Sequence, residues 1–402
     1  MSEADRTQRH ITMLVWNTFL NDARVRNEAE SLVRAGYRVT VHALHAPGIT
    51  AKSEVVGSGI QVERLGGRQG KRQLRPGASG LASQSRFASL GIAAARLTTH
   101  LALLRALVRC KPDAIHAHDV NVLPTAWLAA RIAGVPLVYD AHEISTHREG
   151  YKAFRGLVGW LEKKIMPRAA GTITTTDARA KFFARAYRIP RPLVLQNRPR
   201  LIRTMRSNRI REDLRLTEPW PIVLYQGGLQ PGRGLTRLVQ AAAQVPDAYF
   251  VFIGGGRQSA ELHTLTESLG LRERVRFIPT VPLAELPSYT ASADIGVQPI
   301  ENTCLNHFTT DSNKLFEYVI AGLPVVASRL PEIRKVVEIF DLGLLVTPGD
   351  TDSLVDALRR LVADGDLRVS YARNAVHAAQ HLNWEAQEAA LVELYARVLG
   401  PR

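Results

Sequence analysis

The sequence is poor in cysteine, in aromatic residues and in long uninterrupted apolar runs. Its two cysteines, Cys110 and Cys304, stand far apart and match no metal-ligand spacing. This excludes a disulfide scaffold and favours a reducing, cytoplasmic compartment. No secretory leader is predicted, because the apolar stretch Ile11–Trp16 is too short for one. The longest apolar stretch, Phe87–Val108, contains two arginines and a histidine, so we predict that it does not span a membrane.

Acidic residues are scarce in the first half of the chain. Residues 1–220 contain 36 Lys and Arg but 17 Asp and Glu, whereas the remainder contains 16 against 20, and the net charge is +15. A basic half suits an anionic partner, namely a nucleic acid, a phosphorylated acceptor or the inner face of an anionic membrane. The alternative is a generally arginine-rich composition. Aromatic residues make up only 6% of the chain, which argues against nucleic-acid binding.

Short apolar runs rich in β-branched residues alternate with helical patterns along the whole chain. Continuous apolar strands bounded by helices predict buried parallel sheets, and hence two doubly wound α/β domains. The predicted strands of the first domain are Ile11–Trp16, Arg38–Leu44, Asp113–His118, Leu137–Ala141, Gly171–Thr175 and Leu193–Gln196. Those of the second domain are Pro221–Gln226, Tyr249–Gly254, Val275–Pro279, Ala293–Pro299, Pro324–Ser328 and Leu344–Thr347.

Three segments interrupt or end this alternation. Arg198–Trp220 is rich in arginine and proline without a clean period, and we interpret it as the linker. Gly66–Gln84 is predicted to be a loop of the first domain, and Trp384–Leu399 to be an amphipathic terminal helix. The predicted organisation is a first domain over residues 1–200, a second over 201–382 and a terminal helical segment over 383–402.

A glycine-rich segment follows the first predicted strand of the second domain. The segment Tyr225–Gly234 reads YQGGLQPGRG and precedes a predicted helix. Glycine lets a phosphate approach the backbone, a helix N-terminus attracts negative charge, and Arg233 adds a cation with several donors. The pattern matches neither G-x-x-x-x-G-K-[ST] nor G-x-G-x-x-G. A plain strand-to-helix turn is therefore the alternative.

A second polar constellation lies at the start of the segment Asp311–Val325. Asp311 or Ser312 is predicted to cap a helix, which places Lys314 in the first helical turn. A cation is unfavourable at that end of the helix dipole unless an anion neutralises it. Glu317 follows on the same face, so the helix would suit a diphosphate followed by a ribose diol. The alternative is a simple surface ion pair between Lys314 and Glu317.

Histidines and carboxylates cluster at the ends of two predicted strands of the first domain. These strands end in DAIHAHD at residues 113–119 and in YDAHE at residues 139–143. Open α/β sheets bind ligands at the carboxyl ends of their strands. The predicted site residues are therefore His118, Asp119, His142 and Glu143. His116 alternates inward and is predicted to be a core histidine, and a metal site is the alternative use of these side chains.

Two Asp-x-Asp patterns have a structural interpretation. Asp350-Thr-Asp352 and Asp364-Gly-Asp366 both precede helical segments. Aspartate is among the residues favoured at helix N-caps and in turns. We therefore predict that both patterns are caps and not part of a site.

Together these segments resemble the retaining GT-B glycosyltransferases of family four. The resemblance covers nearly the whole chain, from the HAHD and YDAHE strand ends through Asn197, the glycine-rich turn and NKLFEY to the helix at Trp384–Tyr395. It implies two Rossmann-like doubly wound domains facing across a cleft, with the C-terminal helix crossing back to the first domain. The implied activity is transfer of a hexosyl or other glycosyl group from a nucleotide-diphosphate sugar, in polysaccharide or glycoconjugate biosynthesis. The acceptor would be lipid-linked, a saccharide or a small molecule.

The resemblance also implies roles for individual residues. His118 would be the active-site histidine near the transferred sugar, Arg233 and Lys314 the cations on the diphosphate, and Glu317 the carboxylate on the ribose. The base would contact the strand Val275–Ile278 and the turn that follows it. The complete implied donor site is Gly227, Gly228, Arg233, Val281, Ser312, Asn313, Lys314, Leu315 and Glu317.

The sequence departs from the family pattern at three places. Thr309 replaces the first glutamate of the usual E-x7-E pair, so the sugar hydroxyls must be bound by other groups, with Glu301, Asn306 and backbone amides as candidates. Gly227-Gly228 replaces a common Gly-Arg and leaves Arg233 alone in that turn. The loop at residues 16–22 replaces the usual glycine pair. The predicted acceptor-side residues are therefore Asn17, Asp22, Arg24, Arg26, Asp119, His142 and Glu143.

Family membership would imply retention of anomeric configuration without an evident nucleophile. The leaving diphosphate oxygen would take the acceptor proton while Arg233 and Lys314 stabilise its charge. No metal and no cofactor are predicted. One alternative is a nucleotide-sugar epimerase of the same fold, for which only Glu301 is a candidate acid or base. The other is a basic nucleic-acid- or membrane-binding protein without catalysis.

Overall fold

The computed structural model describes residues 8–66, 86–148, 154–202 and 205–400, with residues 86–90 described by their backbone alone. The loop predicted at Gly66–Gln84 lies outside the described residues, apart from Gly66. The chain divides into two compact units, one formed by Met1–Gln196 with Gln387–Arg402 and the other by Asn197–Ala386. The first unit therefore takes up most of the C-terminal helix.

The first unit is built on an eight-stranded sheet in the order β3-β4-β2-β1-β5-β6-β7-β8, in which only the β3–β4 pair is antiparallel. Its strands are β1 His10–Leu14, β2 Arg38–Leu44, β3 Ser53–Val56, β4 Ile60–Leu65, β5 Ala114–His118, β6 Leu137–Ala141, β7 Gly171–Thr174 and β8 Leu193–Val194. Its α-helices are Ala23–Arg34, Arg86–Arg109, Leu123–Ala133, Arg155–Ile165, Asp177–Tyr187 and most of Glu385–Leu399.

The second unit is built on a six-stranded parallel sheet in the order β11-β10-β9-β12-β13-β14. Its strands are β9 Ile222–Gln226, β10 Tyr249–Ile253, β11 Val275–Ile278, β12 Ile295–Gln298, β13 Val325–Ser328 and β14 Gly343–Val346. Its α-helices are Arg209–Leu214, Leu235–Gln244, Ser259–Ser268, Leu286–Thr290, Leu305–Phe308, Asn313–Ile320, Pro331–Phe340, Thr351–Ala363 and Gly365–Ala379. The predicted linker Arg198–Trp220 thus contains a short helix that belongs to this unit.

The predicted parallel strands are all present. Most of them are short apolar runs buried on both faces, whereas β8 and most of β14 are half-buried. The antiparallel pair β3–β4 was missed. Its strands lie at the edge of the sheet, and alternate residues of Ser53–Val56 are exposed. A search for continuous apolar runs does not detect a half-exposed strand of this kind.

The two Asp-x-Asp patterns form helix caps, as predicted. The Asp350 carboxylate accepts hydrogen bonds from the backbone amides of Asp352 and Ser353. The Asp364 carboxylate accepts one from the amide of Leu367. Each aspartate satisfies first-turn amides that have no partner within the helix.

The Gly91–Arg109 part of the Arg86–Arg109 helix is long and apolar enough to cross a membrane, judged by length and composition alone. The sequence had predicted that this segment does not span. In the structure, Thr99, Leu103 and Leu107 form a buried stripe spaced four residues apart, which packs the helix onto the first unit. The side of the helix that carries Leu97 and Leu101 is exposed.

Candidate functional site

In the second unit, the glycine-rich turn occupies the predicted position between strand β9 and the Leu235–Gln244 helix. Gly227 has a φ of +116°, and a Cβ atom added there would lie 2.7 Å from the Lys314 Nζ atom and 2.5 Å from its Cε. Gly234 has a φ of +72°, and a Cβ there would collide with the Pro299 carbonyl oxygen. Gly234 therefore requires glycine for both its conformation and its space, whereas at Gly227 a side chain would be strained by the positive φ and would displace the end of the Lys314 side chain.

Lys314 lies in the first turn of the Asn313–Ile320 helix, as predicted, and its ammonium group reaches across Gly227 to the Tyr225 ring. Burial, and then the nearby charge of Arg233, lower the pKa of Lys314 to about 8. Among the described residues, neither Lys314 nor Arg233 has a hydrogen-bond or ion-pair partner. Glu317 is near enough for its charge to oppose this lowering of the pKa, but it makes no ion pair with either cation. Two adjacent cations with no ion-pair partner among the described residues favour the binding of an anion.

Glu317 does not form an ion pair with Lys314, so the simple surface pair is excluded. Its carboxylate accepts a hydrogen bond from the Gln226 side chain at 2.6 Å, and the Gln226 oxygen accepts one from the Thr290 hydroxyl at 2.8 Å. Gln226 is the last residue of β9 and is buried. The sequence analysis missed Gln226 and Thr290, although a polar residue that ends a buried strand before a glycine turn was a visible signal.

The other predicted donor-side residues surround this centre to different degrees. Ser312 is the N-cap residue with a φ of +58°, but its side chain makes no capping hydrogen bond, so the predicted cap is wrong for Ser312. Asn313 and Gly228 are exposed, Leu315 is buried in the core, and Val281 is half-buried. Leu315 therefore packs the helix and offers only its backbone to a ligand.

The side chains of Thr309 and of the candidate Glu301 are already engaged in hydrogen bonds. The Thr309 hydroxyl donates to the Leu305 carbonyl at 2.8 Å. Glu301 accepts a hydrogen bond from Arg237 at 3.0 Å. Asn306 is buried. These contacts make Glu301 a poorer candidate for a free acid or base than the sequence suggested.

In the first unit, a pocket of about 370 Å³ opens at the carboxyl ends of β1, β5 and β6. Its lining includes five of the predicted residues together with Arg148, which the sequence analysis did not single out. Its lining residues are Val15, Trp16, Asn17, Asp22, His118, Asp119, Asn121, His142 and Arg148. The strand ends thus meet at one pocket, as parallel strand order requires.

Asn17 and Asp22 hold each other in this pocket. The Asn17 amide donates to the Asp22 carboxylate at 2.6 Å, and Asp22 also caps the Ala23–Arg34 helix by accepting from the Val25 amide. Glu143 lies 3.5 Å from Arg148, outside the pocket lining. Asp119 lies 3.4 Å from the same arginine and has a φ of +68°, an uncommon conformation for a residue other than glycine.

Arg24 is not available to an acceptor, which corrects the sequence-based expectation. Its side chain is buried, and its guanidinium makes a bidentate pair with Asp140 at 2.7 and 2.9 Å and donates to the Leu195 carbonyl at 2.6 Å. Although burial alone would raise it, Arg24 and then His142 hold the pKa of Asp140 well below its usual range. Arg26 is exposed and pairs with Glu30 at 3.2 Å. Arg24 is therefore a structural cation beneath the pocket.

The two pocket histidines carry different charges at neutral pH. Burial lowers the pKa of His118, even though its Nδ1 lies 3.5 Å from Asp140. Burial also opposes a charge on His142, but Asp140 and Asp119 together raise its pKa to about 9. Neither ring nitrogen of His118 has a hydrogen-bond partner among the described residues. A neutral, buried and unpartnered imidazole that lines a pocket is placed to meet a substrate.

Glu28 and His116 complete a buried cluster that the sequence analysis did not identify. Burial, and then the charge of Asp140, raise the pKa of Glu28 well above its usual range, and the charge of Arg24 opposes this shift. The His116 Nδ1 lies 3.0 Å from the Tyr395 hydroxyl of the C-terminal helix. His116 is thus a core histidine, as predicted.

Four of these side chains offer ligand atoms that all lie within 4.8 Å of one another, namely Glu28, His116, His118 and Asp140. Two of the four already have a counter-ion, because Arg24 lies 2.7 Å from Asp140 and 3.2 Å from Glu28. A divalent cation in this cluster would lie beside a buried guanidinium. The cluster is therefore better described as an internally compensated ion network.

Two family models match the chain, one in each unit. The model described as "Glycosyl transferase 4-like domain" matches residues 22–198, and "Glycosyl transferases group 1" matches residues 206–378. The chain belongs to the family-four glycosyltransferases of the GT-B fold class, and it is a glycosyltransferase that uses a nucleotide-sugar donor. The prediction of two Rossmann-like domains is confirmed.

Individual proteins agree with this assignment. The chain is 27% identical over 312 residues to a D-inositol 3-phosphate glycosyltransferase of Xylanimonas cellulosilytica, covering 72% of this chain and 73% of that one. It shares the fold of a sucrose-phosphate synthase from Thermosynechococcus elongatus, with a TM-score of 0.79, 20% identity and coverage of 97% and 99%. It also shares the fold of Anabaena HepE in complex with UDP-glucose, with a TM-score of 0.72, 20% identity and coverage of 96% and 99%.

Proposed function

We propose that this chain transfers a glycosyl group from a nucleotide-diphosphate sugar to a hydroxylated acceptor with retention of configuration and without a metal ion. The observation that carries the proposal is the pair Lys314 and Arg233, two cations without a partner among the described residues, beside a glycine that leaves room for phosphate. In a transferase of this kind, the charge that grows on the leaving diphosphate needs such preorganised cations.

The donor would bind along the second unit from phosphate to base. Lys314 and Arg233 hold the diphosphate, and the amides at the start of the Asn313–Ile320 helix add the favourable end of the helix dipole. Glu317 binds the ribose diol with the carboxylate that Gln226 orients. The base lies against β11 and the turn to Val281. The complex of HepE with UDP-glucose makes a uridine nucleotide the first donor to test.

The acceptor would bind in the pocket of the first unit. Asp22 and Asp119 offer carboxylates that suit sugar or cyclitol hydroxyls, and the name of the Xylanimonas relative points to a cyclitol phosphate as one acceptor to test. His118 lies near the transferred sugar as a neutral hydrogen-bonding group. The acceptor proton passes to the leaving phosphate oxygen, so the protein supplies position and electrostatics but no nucleophile.

The epimerase alternative loses support from the site. An epimerase of this fold needs acid and base carboxylates around the sugar, and the one candidate, Glu301, is paired with Arg237. A basic binding protein without catalysis is disfavoured by the family assignment.

A thermal-shift panel with UDP, GDP, dTDP and ADP tests the donor site. A ligand at a hundred times its dissociation constant stabilises the folded state by about 2.7 kcal/mol, so one of these nucleotides should raise Tm clearly. The shift should disappear in Lys314→Ala. If no nucleotide raises Tm, or if Lys314→Ala keeps the full shift, the proposed donor site is wrong.

Transfer assays test the remaining parts of the proposal. Activity with the selected donor should survive EDTA, and restoration of a lost activity by a divalent ion would refute metal independence. His118→Ala should abolish most transfer while the nucleotide-induced Tm shift stays intact. The product anomer, read by nuclear magnetic resonance, decides between retention and inversion.

A further inference from the structure

The first unit carries a surface that the transferase reaction does not use. We infer that this surface docks on an anionic lipid bilayer. It is formed by the helices Arg86–Arg109, Leu123–Ala133 and Arg155–Ile165, and we call it the basic apolar face. The sequence analysis predicted an anionic partner for the basic first half of the chain but did not assign it to any helix.

Topology places the three helices side by side. They connect β4 to β5, β5 to β6 and β6 to β7, and each of these connections advances in the same direction across the sheet. Right-handed crossovers in one direction put their helices on one face of a parallel sheet. The three helices therefore form a continuous layer.

Each helix exposes large apolar side chains from this layer. The exposed fractions are 61% for Leu97 and 41% for Leu101, 42% for Leu128 and 56% for Ile132, and 57% each for Leu157 and Trp160. Within each helix the two residues are three or four positions apart, so each pair lies on one side of its helix. Scattered exposed apolar residues need no explanation, but pairs on three adjacent helices form a patch that marks an interaction site.

The charge on the same helices has one sign. Their sequences contain a single carboxylate, Glu162. That carboxylate is buried, where it accepts hydrogen bonds from Tyr139, Ser145 and Tyr187. Among the residues of these helices whose side chains the structure describes, the exposed basic ones are Arg96, Arg105, Arg109, Arg131, Arg155, Lys163 and Lys164.

Apolar insertion together with unopposed positive charge is the chemistry of peripheral binding to anionic lipid. Tryptophan suits the boundary between headgroups and acyl chains, and Trp160 is half exposed beside Lys163 and Lys164. Crossing of the bilayer by the Gly91–Arg109 segment is disfavoured, because its buried stripe holds it on the sheet. The bilayer therefore lies against the face, with the side chains inserted only to interfacial depth.

The basic apolar face adjoins the pocket of the first unit. Trp16, which lines the pocket, stacks on His100 with ring centroids 4.3 Å apart, and the Arg96 guanidinium lies 5.4 Å from the Trp16 ring centroid. A bilayer on this face would bring lipid headgroups close to that pocket. This last step rests on the proposed function, whereas the docking itself does not.

Vesicle flotation with the full chain tests the inference without any transferase assay. We expect binding to phosphatidylcholine vesicles containing about a third phosphatidylglycerol, weak binding to pure phosphatidylcholine, and loss of binding in high salt. Each basic residue near an anionic surface contributes about fivefold in binding, so Lys163→Glu with Lys164→Glu should weaken partitioning at least about tenfold. Trp160→Ser with Leu157→Ser should weaken it comparably. A matched control, Ile339→Ser with Arg373→Glu on exposed positions of the second unit, should bind like the wild type.

The outcomes separate the possible occupants of the face. Equal binding to neutral and anionic vesicles, or wild-type binding by both double variants, would overturn the inference. Concentration-dependent dimerisation that the same variants abolish, with no vesicle binding, would assign the face to a second copy and also overturn it. An unchanged Tm and an unchanged nucleotide-induced shift show that the variants are folded. A failed donor assay with intact flotation would count against the proposed function alone.

Discussion

The two units of this protein differ in how the charged side chains of their predicted sites are paired. In the first, Arg24 has Asp140 and Glu28 within 3.2 Å, and His142 Nε2 lies 2.9 Å from the same Asp140. In the second, Lys314 and Arg233 have no such partner among the described residues. A compensated network is complete without a ligand and fixes the side chains around it, whereas an uncompensated pair is completed only by a bound anion. We therefore interpret the Arg24 network as a cluster that positions side chains, and the Lys314–Arg233 pair as a candidate binding site.

The largest expected effect comes from breaking the compensated network. Asp140→Asn leaves the Arg24 guanidinium buried without its counter-ion, and removing one partner of a buried ion pair costs about 3–5 kcal/mol. Urea denaturation should show this loss in the free energy of unfolding. The control is Asp119→Asn, which removes a partly exposed pocket carboxylate and should cost far less. If the two variants were equally stable, the ion pair with Asp140 would not be what stabilises the buried Arg24.

Removing a charge from the uncompensated pair should affect the reaction and not the fold. Lys314→Ala should lower kcat by about 10²–10³, or ~3–4 kcal/mol of transition-state stabilisation. Stability should be unchanged or higher, because the variant loses a half-buried cation that has no ion-pair partner among the described residues. Steady-state kinetics and thermal unfolding measured side by side check both expectations. Lys335→Ala, on a solvent-exposed lysine paired with Glu332, is the control, and an unchanged kcat in Lys314→Ala would refute the role.

The pH dependence of Lys314 should have opposite signs for binding and for folding. Its pKa is about 8 in the folded protein against an ordinary value of 10.5. Nucleoside diphosphate binding needs the charged form, so affinity should fall as pH rises above about 8. The ligand-free fold should instead gain stability between pH 8 and 10.5, since the unfolded chain binds the extra proton there. Titration calorimetry and urea denaturation across this range measure the two trends, and Lys314→Met should abolish both.

The smallest expected effect concerns Glu317. Its bond to the ribose exists both before and during reaction, so Glu317→Ala should raise KM for the donor by about tenfold, the strength of a hydrogen bond to a charged group, with a smaller change in kcat. Glu317→Gln should be milder. Gln226→Ala removes the group that orients the carboxylate and should move KM in the same direction. A drop in kcat alone for Glu317→Ala would mean that the roles of Lys314 and Glu317 are reversed.

Much of the fold could be predicted from the sequence, because a buried parallel strand appears as a short run of consecutive apolar residues. The β2 and β6 strands were predicted to the residue, and the caps at Asp350 and Asp364 follow from local hydrogen bonding alone. The β3–β4 edge pair was not predicted, because half-exposed strands alternate and lack that signal. The site residues His118, Lys314 and Glu317 were named from motifs and from the family resemblance. Their roles stay predictions until the variants above are measured.

By itself, the sequence determined two parallel α/β domains, the position of the glycine-rich turn and the helix that presents Lys314, since these depend on residues close together in the chain. Only the tertiary structure showed that the Arg24 side chain is buried and paired with Asp140, 116 positions away. Arg24 is therefore not available to bind an acceptor substrate. It also decided that Glu317 accepts a hydrogen bond from Gln226, and that Lys314 has no ion-pair partner among the residues that the structure describes. The tertiary structure was also needed to show that three helices place their basic and apolar residues in one layer. The reason is physical: the charge state and availability of a side chain depend on burial and on partners distant in sequence, which no local pattern encodes.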